Sequence, residues 1–240
     1  MSHDLIFLDT ETTGNTQTDC LCQLCYKLHD VIFCELYNPG RKIPPEASAV
    51  SHITNKMVAD KPTFKESSHY GEIKKLLEAP DSILVAHNAK FDLAMLAKEE
   101  IVPPQYICTL RVARHLDTEN KIPRYNLQYL RYFLEMEIDA QAHDAKGDVL
   151  VLEQLFPRLL ESLKKELGTD DDATAIKKMI DISTNPSLLY SFNFGKHMGK
   201  KIADVAKSDR GYLEWLLAQK MQNEGDEEDW IYTLKHYLGK

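Results

Sequence analysis

Apolar and polar positions alternate in short blocks along the first third of the chain. The run Leu5-Ile6-Phe7-Leu8 reads as a buried strand, Leu5–Asp9, that opens into the polar turn Thr12-Thr13-Gly14. Two more strands are predicted at Leu21–Leu28 and Val31–Tyr37, joined as a meander. Pro39-Gly40 and Pro44-Pro45 predict a loop, and Asn55–Ala59 a single helical turn. Phe64–Glu78 has amphipathic spacing, with Tyr70, Ile73, Leu76 and Leu77 on one face. Strands and helices then alternate: strand Ser82–Ala86, helix Phe91–Glu100, strand Tyr106–Cys108, helix Thr109–Leu116. Helical spacing recurs at Leu127, Leu130, Phe133 and Leu134, and again at Val149, Leu152, Leu155 and Phe156. Strands first, then strands alternating with helices, predict an α/β domain over residues 1–166, a mixed sheet covered by helices.

The texture changes after that. Gly168–Ala173 is a polar, acidic break and Ala175–Ser183 is helical in spacing, so 167–189 reads as a linker with a helix. From Tyr190 onward aromatic, basic and glycine residues crowd together in Phe192-Asn193-Phe194-Gly195-Lys196-His197-Met198-Gly199-Lys200-Lys201. Two helices, around Tyr212–Lys220 and Trp230–Leu238, complete a small module over 190–240. Its rings and cations suit single-stranded nucleic acid. Phe192, Phe194, Tyr212 and Trp215 suit an apolar core equally well.

Composition adds bounds. A chain of 240 residues, 43% hydrophobic, accommodates one full-sized domain and a small appendage. Neither a signal peptide nor a membrane span is visible, which predicts a soluble, cytoplasmic protein with no membrane partner. Five scattered cysteines argue against a disulfide framework. Cys22 and Cys25 fall on opposite faces of one strand and read as buried free thiols rather than zinc ligands. The formal charge of −8 does not advertise a nucleic-acid partner. However, much of the acid is concentrated at 170–172 and 224–229, and basic stretches remain at Arg111–Arg131 and Lys196–Lys201.

The chemistry begins with Asp9 and Glu11. At i and i+2 on a strand both carboxylates face the same way, and they repel unless a cation or a shared proton lies between them. A hard divalent ion, Mg²⁺ or Mn²⁺, fits that place. In a second motif, His87-Asn88-Ala89-Lys90-Phe91-Asp92, Asn88 is placed to cap a helix whose first turn carries Asp92. A third, His143-Asp144-Ala145-Lys146-Gly147-Asp148, leads into a helix. Four carboxylates and one imidazole are the inventory of two-metal phosphodiester hydrolysis, in which paired ions roughly 3.5–4 Å apart clamp the scissile phosphate. A histidine of unperturbed pKa near ~6.5 suits a general base.

Leu8-Asp9-Thr10-Glu11-Thr12-Thr13-Gly14 and the two later motifs resemble, in order, the three exonuclease motifs of the DEDDh (DnaQ-like) superfamily. Ile43-Pro44-Pro45-Glu46-Ala47, Ser51-His52-Ile53-Thr54 and Cys108–Arg114 extend the likeness, and the C-terminal segment resembles the tail of the exonuclease X-like family. The resemblance implies a ribonuclease H-like fold and 3′→5′ hydrolysis of nucleic acid to nucleoside 5′-monophosphates. It implies that Asp9 bridges two metals, Glu11 and Asp148 complete the first site, Asp92 holds the second, and His143 is the base. The segment Thr10, Thr12, Thr13 and Gly14 would hold the 3′-terminal nucleotide, with Asn88 approaching it. One departure stands out: relatives often place an apolar wedge after the glycine, where this chain has Asn15. The implied substrate is single-stranded DNA or a DNA 3′ end, in repair or end trimming. An exoribonuclease and a non-catalytic nucleic-acid adaptor are the alternatives, because motif spelling does not reveal contacts to a 2′-hydroxyl. Oligomeric state is open, a homodimer included.

Overall fold

The computed structural model describes residues 4–16, 18–138, 145–223 and 227–240. Its centre is a five-stranded sheet of β1 (Asp4–Thr12), β2 (Leu21–Leu28), β3 (Val31–Leu36), β4 (Ser82–Ala86) and β5 (Tyr106–Cys108), in the order β3-β2-β1-β4-β5. The first three strands form an antiparallel meander, while β4 and β5 run parallel to β1. β1 is therefore the middle strand. It extends past Asp9 to Thr12, so both Asp9 and Glu11 lie within it, and a register irregularity falls between Glu11 and Thr12.

The helices are α1 (Pro45–Ser51), α2 (Asn55–Val58), α3 (Tyr70–Leu77), α4 (Lys90–Lys98), α5 (Thr109–Leu116), α6 (Leu127–Phe133) and α7 (Ala145–Leu167). They continue with α8 (Asp172–Thr184), α9 (Ile202–Ser208), α10 (Arg210–Lys220) and α11 (Glu228–Leu238). Strand alternation divides the core into two. Ile6, Leu8, Leu24, Leu84 and Ala86 face α3 and α4 through Ile73, Leu77 and Leu96. Ile83, Val85 and Ile107 face α5, α6, α7 and α8 through Val112, Leu130, Leu152 and Met179.

Three elements differ from the sequence expectation. The stretch predicted as loop around Pro44-Pro45 contains α1, because Pro45 occupies the first helical turn, where its missing N–H costs nothing. The helix predicted from Phe64 begins only at Tyr70; residues 64–69 are turns that still bury Phe64. α7 runs straight through Pro157. A helix-interior proline costs about 3 kcal/mol. Phe156, Leu159, Leu160 and Leu163, all buried around it, contribute roughly 1.5–3 kcal/mol each, which outweighs that cost.

Cys25 and Cys34 face each other across β2 and β3 and form a disulfide, while Cys20, Cys22 and Cys108 are free. The expectation of a free Cys25 is corrected: cross-strand register brings to it a cysteine whose pairing the sequence did not signal.

α8, in the segment read as a linker, packs Ala175, Met179 and Ile182 into the main core. Its Ser183 hydroxyl accepts from the Cys108 N–H at 2.7 Å. The C-terminal residues have their own core of Phe192, Ile202, Val205, Leu213, Leu216 and Leu234. Trp215, a candidate for that core, is 55% exposed, and Trp230 takes its place by stacking on Phe192 at 5.5 Å. The module is clasped to the sheet domain by Arg111, which is 4% exposed. Arg111 donates to the Ser183 carbonyl (2.8 Å), to Asp229 (2.9 Å) and to Glu228. Among the described residues no helix is long and apolar enough to cross a membrane.

Candidate active site

Asp9 and Glu11 project from the face of β1 that α7 covers. Ala145 and Val149 at the start of α7 are fully buried against Cys25 of β2 and pack on Phe7 of β1. That contact sets the register of the helix and brings Asp148, in its first turn, to the two strand carboxylates. Ligand oxygens of Asp9, Glu11 and Asp148 all lie within 4.8 Å of one another. The Gln128 amide, from α6, donates to Asp148 Oδ1 at 2.5 Å and fixes its orientation. Sequence reading missed Gln128: it is one polar residue beside Leu127 on an otherwise amphipathic helix, with no motif around it.

Asp92 lies on the opposite side of β1. It is 2% exposed, in the first turn of α4, where the helix dipole favours a negative charge. Its Oδ1 accepts two hydrogen bonds from one residue, the Thr10 N–H at 3.1 Å and the Thr10 hydroxyl at 2.7 Å. Burial pushes the Asp92 carboxyl up to about 7 in the metal-free chain, against the lowering effect of the Thr10 bonds. The structure thus gathers Asp9, Glu11 and Asp148 into one cluster and links Asp92 to it through Thr10, which sits between Asp9 and Glu11. His143 lies outside the described residues.

The turn after β1 is held by its own side chains. The Thr12 hydroxyl donates to the Gly14 carbonyl at 2.6 Å, and the Thr13 hydroxyl donates to Asp19 Oδ1 at 2.7 Å. Asp19 also accepts from the Thr16 N–H and hydroxyl, and these bonds hold its carboxyl down at about 2. A Cβ on Gly14 would meet the Asp19 carboxylate at 2.7 Å, so glycine is required there by close approach. With the threonine hydroxyls engaged inside the turn, the polar groups this segment can offer a ligand are mainly backbone ones. Asn15 is exposed at its tip.

Asn88 does not cap α4 as expected. The N-cap is Ala89, without a side-chain bond, and Asn88 has a φ of 64°, a left-handed conformation that asparagine tolerates. This turn leaves Asn88 exposed, on the lining of two clefts. His87 before it is bonded through Nε2 to the Tyr125 carbonyl (2.6 Å) and through Nδ1 to the Thr109 hydroxyl (2.9 Å). Burial lowers its pKa to about 4, so it is neutral at physiological pH.

Three oxygen ligands converging from two elements, with no nitrogen or sulfur among them, fit a hard divalent cation. Comparison with known proteins agrees with this chemistry. Residues 6–156 match the family model described as Exonuclease, and residues 192–220 match that of the exodeoxyribonuclease X-like C-terminal region. Exodeoxyribonuclease 10 of Escherichia coli K12 is 32% identical over 206 residues, spanning 85% of this chain and 83% of that protein. The DNA polymerase III epsilon subunit of Treponema pallidum is 29% identical over 187 residues, spanning 72% and 85%. Among solved structures, exonuclease X in complex with 5′-overhanging duplex DNA aligns with a TM-score of 0.58 at 25% identity. That alignment covers 75% of this chain and 99% of the other. A mixed sheet with its carboxylates on the middle strand and two helix starts, matched by family over most of its length, is the ribonuclease H-like fold of these enzymes, and the chain belongs to the exonuclease family.

Proposed function

We propose that the protein is a divalent-metal-dependent exonuclease that shortens DNA from 3′ ends and releases nucleoside 5′-monophosphates. The observation that carries this reading is the convergence of Asp9, Glu11 and Asp148 within 4.8 Å, with Asp92 bonded to the residue between the first two. Similarity to exodeoxyribonuclease 10 over 85% of the chain supports DNA as the substrate.

Asp9, Glu11 and Asp148 would hold Mg²⁺ or Mn²⁺, with Asp92 serving a second ion; such ions supply Lewis-acid activation of water and of the scissile phosphate. The chain's own residues do the rest. Thr10 holds Asp92 through two hydrogen bonds and ties its position to Asp9 and Glu11 on either side. Gln128 aims Asp148. His143, assigned on its motif alone, takes the proton of the attacking water. The backbone of the turn from Thr12 to Gly14, rigidified by Asp19, presents N–H and C=O groups to the 3′-terminal nucleotide, with Asn88 across from it.

The test uses 5′-labelled single-stranded DNA and matched RNA, with Mg²⁺ or with EDTA. A descending ladder on DNA is expected, abolished by EDTA and by Asp9→Ala. A ladder that survives Asp9→Ala overturns the site, and one seen on RNA alone overturns the substrate.

A further inference from the structure

A cleft of about 880 Å³ runs from Asn88 along the boundary between the sheet domain and the C-terminal module. We infer that this cleft holds the single-stranded DNA leading into the site, the nucleotides upstream of the 3′-terminal one. The inference rests on the 3′-end-directed reading above and adds to it a binding track and a role for the C-terminal module.

Charge is the first argument. The chain carries a formal −8, yet no aspartate or glutamate lines this cleft among the described residues. Its walls include Arg114 and Arg124, and Arg124 is exposed with no ion-pair partner among the described residues. The turn that brings Met198 and Gly199 into the wall continues into Lys200 and Lys201, both exposed. A lining free of carboxylates, edged by cations, matches a phosphodiester backbone.

The second argument is the choice of rings. Tyr125, Tyr190 and Trp230 all line the cleft. Trp230 is braced by stacking on Phe192, and Tyr125 by a 2.6 Å bond from its hydroxyl to Asp117. Rigid aromatic rings beside cations form the platform on which unpaired bases stack with little regard to sequence.

A neighbouring cleft of about 840 Å³ also opens at Asn88, and Lys90, Lys98 and Arg111 line it. There Lys90 and Arg111 are already paired, both with Glu228 and Arg111 also with Asp229; Asp229 in turn pairs at 2.9 Å with Arg114, which lines both clefts, while Lys98 is bonded to the Thr16 and Asp19 carbonyls. Glu227 adds another acid to its wall. A polyanion entering that side would have to break these pairs, whereas in the first cleft only Arg114 is so paired and Arg124 has no ion-pair partner among the described residues.

The experiment separates binding from chemistry. Binding of an oligothymidylate about a dozen nucleotides long, within the ~4–16 nucleotide range of single-strand sites, is measured in EDTA as a function of salt. Arg124→Glu combined with Lys200→Glu should weaken binding roughly tenfold and reduce the slope of log Kd against log salt by about 0.7 for each phosphate no longer neutralised. Tyr190→Ala should weaken it about tenfold with the slope retained, because stacking carries no counterions. In Mg²⁺, kcat/KM on the oligonucleotide is divided by that on the p-nitrophenyl ester of thymidine 5′-monophosphate, which is too short to enter the cleft. That ratio should fall with each variant. An unaltered slope and ratio, or equal losses on both substrates, overturns the assignment. Inactivity of the native chain on both substrates would instead sink the exonuclease reading, while the EDTA binding still reads the cleft. Both reversed positions are exposed, and Arg124→Ala replaces the reversal should the unfolding midpoint shift.

Discussion

Replacing Thr10 by valine keeps the shape of β1 and removes one atom of function, the hydroxyl that donates to Asp92 at 2.7 Å. Both partners are buried, so water cannot substitute for the missing donor. A hydrogen bond to an ionised group in such a place contributes about 1.5–3 kcal/mol. At about 1.36 kcal/mol per pKa unit, its loss raises the carboxyl by roughly one to two units. Asp92 starts at about 7, pushed up by burial, and would therefore titrate near pH ~8–9 in the variant. The ionised fraction at pH 7 then falls from about half to between about a tenth and a hundredth, and the apparent metal affinity falls with it, roughly fivefold to fiftyfold. Mg²⁺ dependence of the initial rate at pH 7 and at pH 9 measures this directly. A large shift is expected at pH 7 and one of about twofold or less at pH 9, where about half or more of the variant's Asp92 is ionised. Thr10→Ser retains the hydroxyl and should behave as the native chain does. An unchanged Mg²⁺ requirement at pH 7, or an equal loss at both pH values, would refute the electrostatic role given to Thr10.

Asp92 also predicts an unusual pH dependence of stability. Its folded pKa lies above the unfolded 3.8, so its contribution is most favourable below about pH 4 and falls as pH rises toward 7. His87, depressed from 6.5 to about 4, gives the opposite slope across its own window. The readout is therefore the native chain minus Asp92→Asn, both unfolded by urea in EDTA. The difference should fall between pH 4 and 7, as the native chain loses stability relative to the variant, and should recover when Mg²⁺ is added; a flat difference contradicts the raised, desolvated carboxyl. Gln128→Leu leaves Asp148 without its amide donor and should weaken metal binding roughly 10- to 100-fold, read by Mn²⁺ calorimetry, with little change in melting temperature. Arg111→Met takes one partner each from Glu228 and Asp229, which keep Lys90 and Arg114, and removes the donor to the Ser183 carbonyl; it should cost about 1–3 kcal/mol, a fall of roughly 2–12 °C by differential scanning calorimetry. Gly14→Ala drives a methyl into the Asp19 carboxylate and should raise KM for DNA more than it lowers stability.

The sheet was legible because its strands announce themselves by short apolar runs. β2, β4 and β5 fall where those runs place them, and α5 follows β5 without a gap. What was not legible depends on partners far along the chain. α7 continues through Pro157 because a core waits on both sides of it. Cys25 meets Cys34 through cross-strand register, which no spacing rule between five scattered cysteines reveals. Asn88 takes a left-handed turn rather than a cap, a choice made by the junction of β4 with α4. Within the site, the acids of the motifs were readable one by one. The bonds that orient them were not: Thr10 read as a nucleotide contact, and its hydroxyl is engaged by Asp92. Gln128 carried no signal at all.

The distance in sequence between Asp9 and Asp148 has a consequence for the cell that makes this chain. The first two acids are in place as soon as the meander closes, but the third arrives only when the start of α7 settles on β1 and β2. That settling needs α7 synthesised, and α6 beside it then supplies Gln128 to Asp148. On the proposed assignment, a nascent or half-melted chain carries an incomplete set of ligands and would hold the ion that cutting requires more weakly. Native packing would then act as a safety catch, with activity waiting for the contact between α7 and the sheet rather than growing with partial structure.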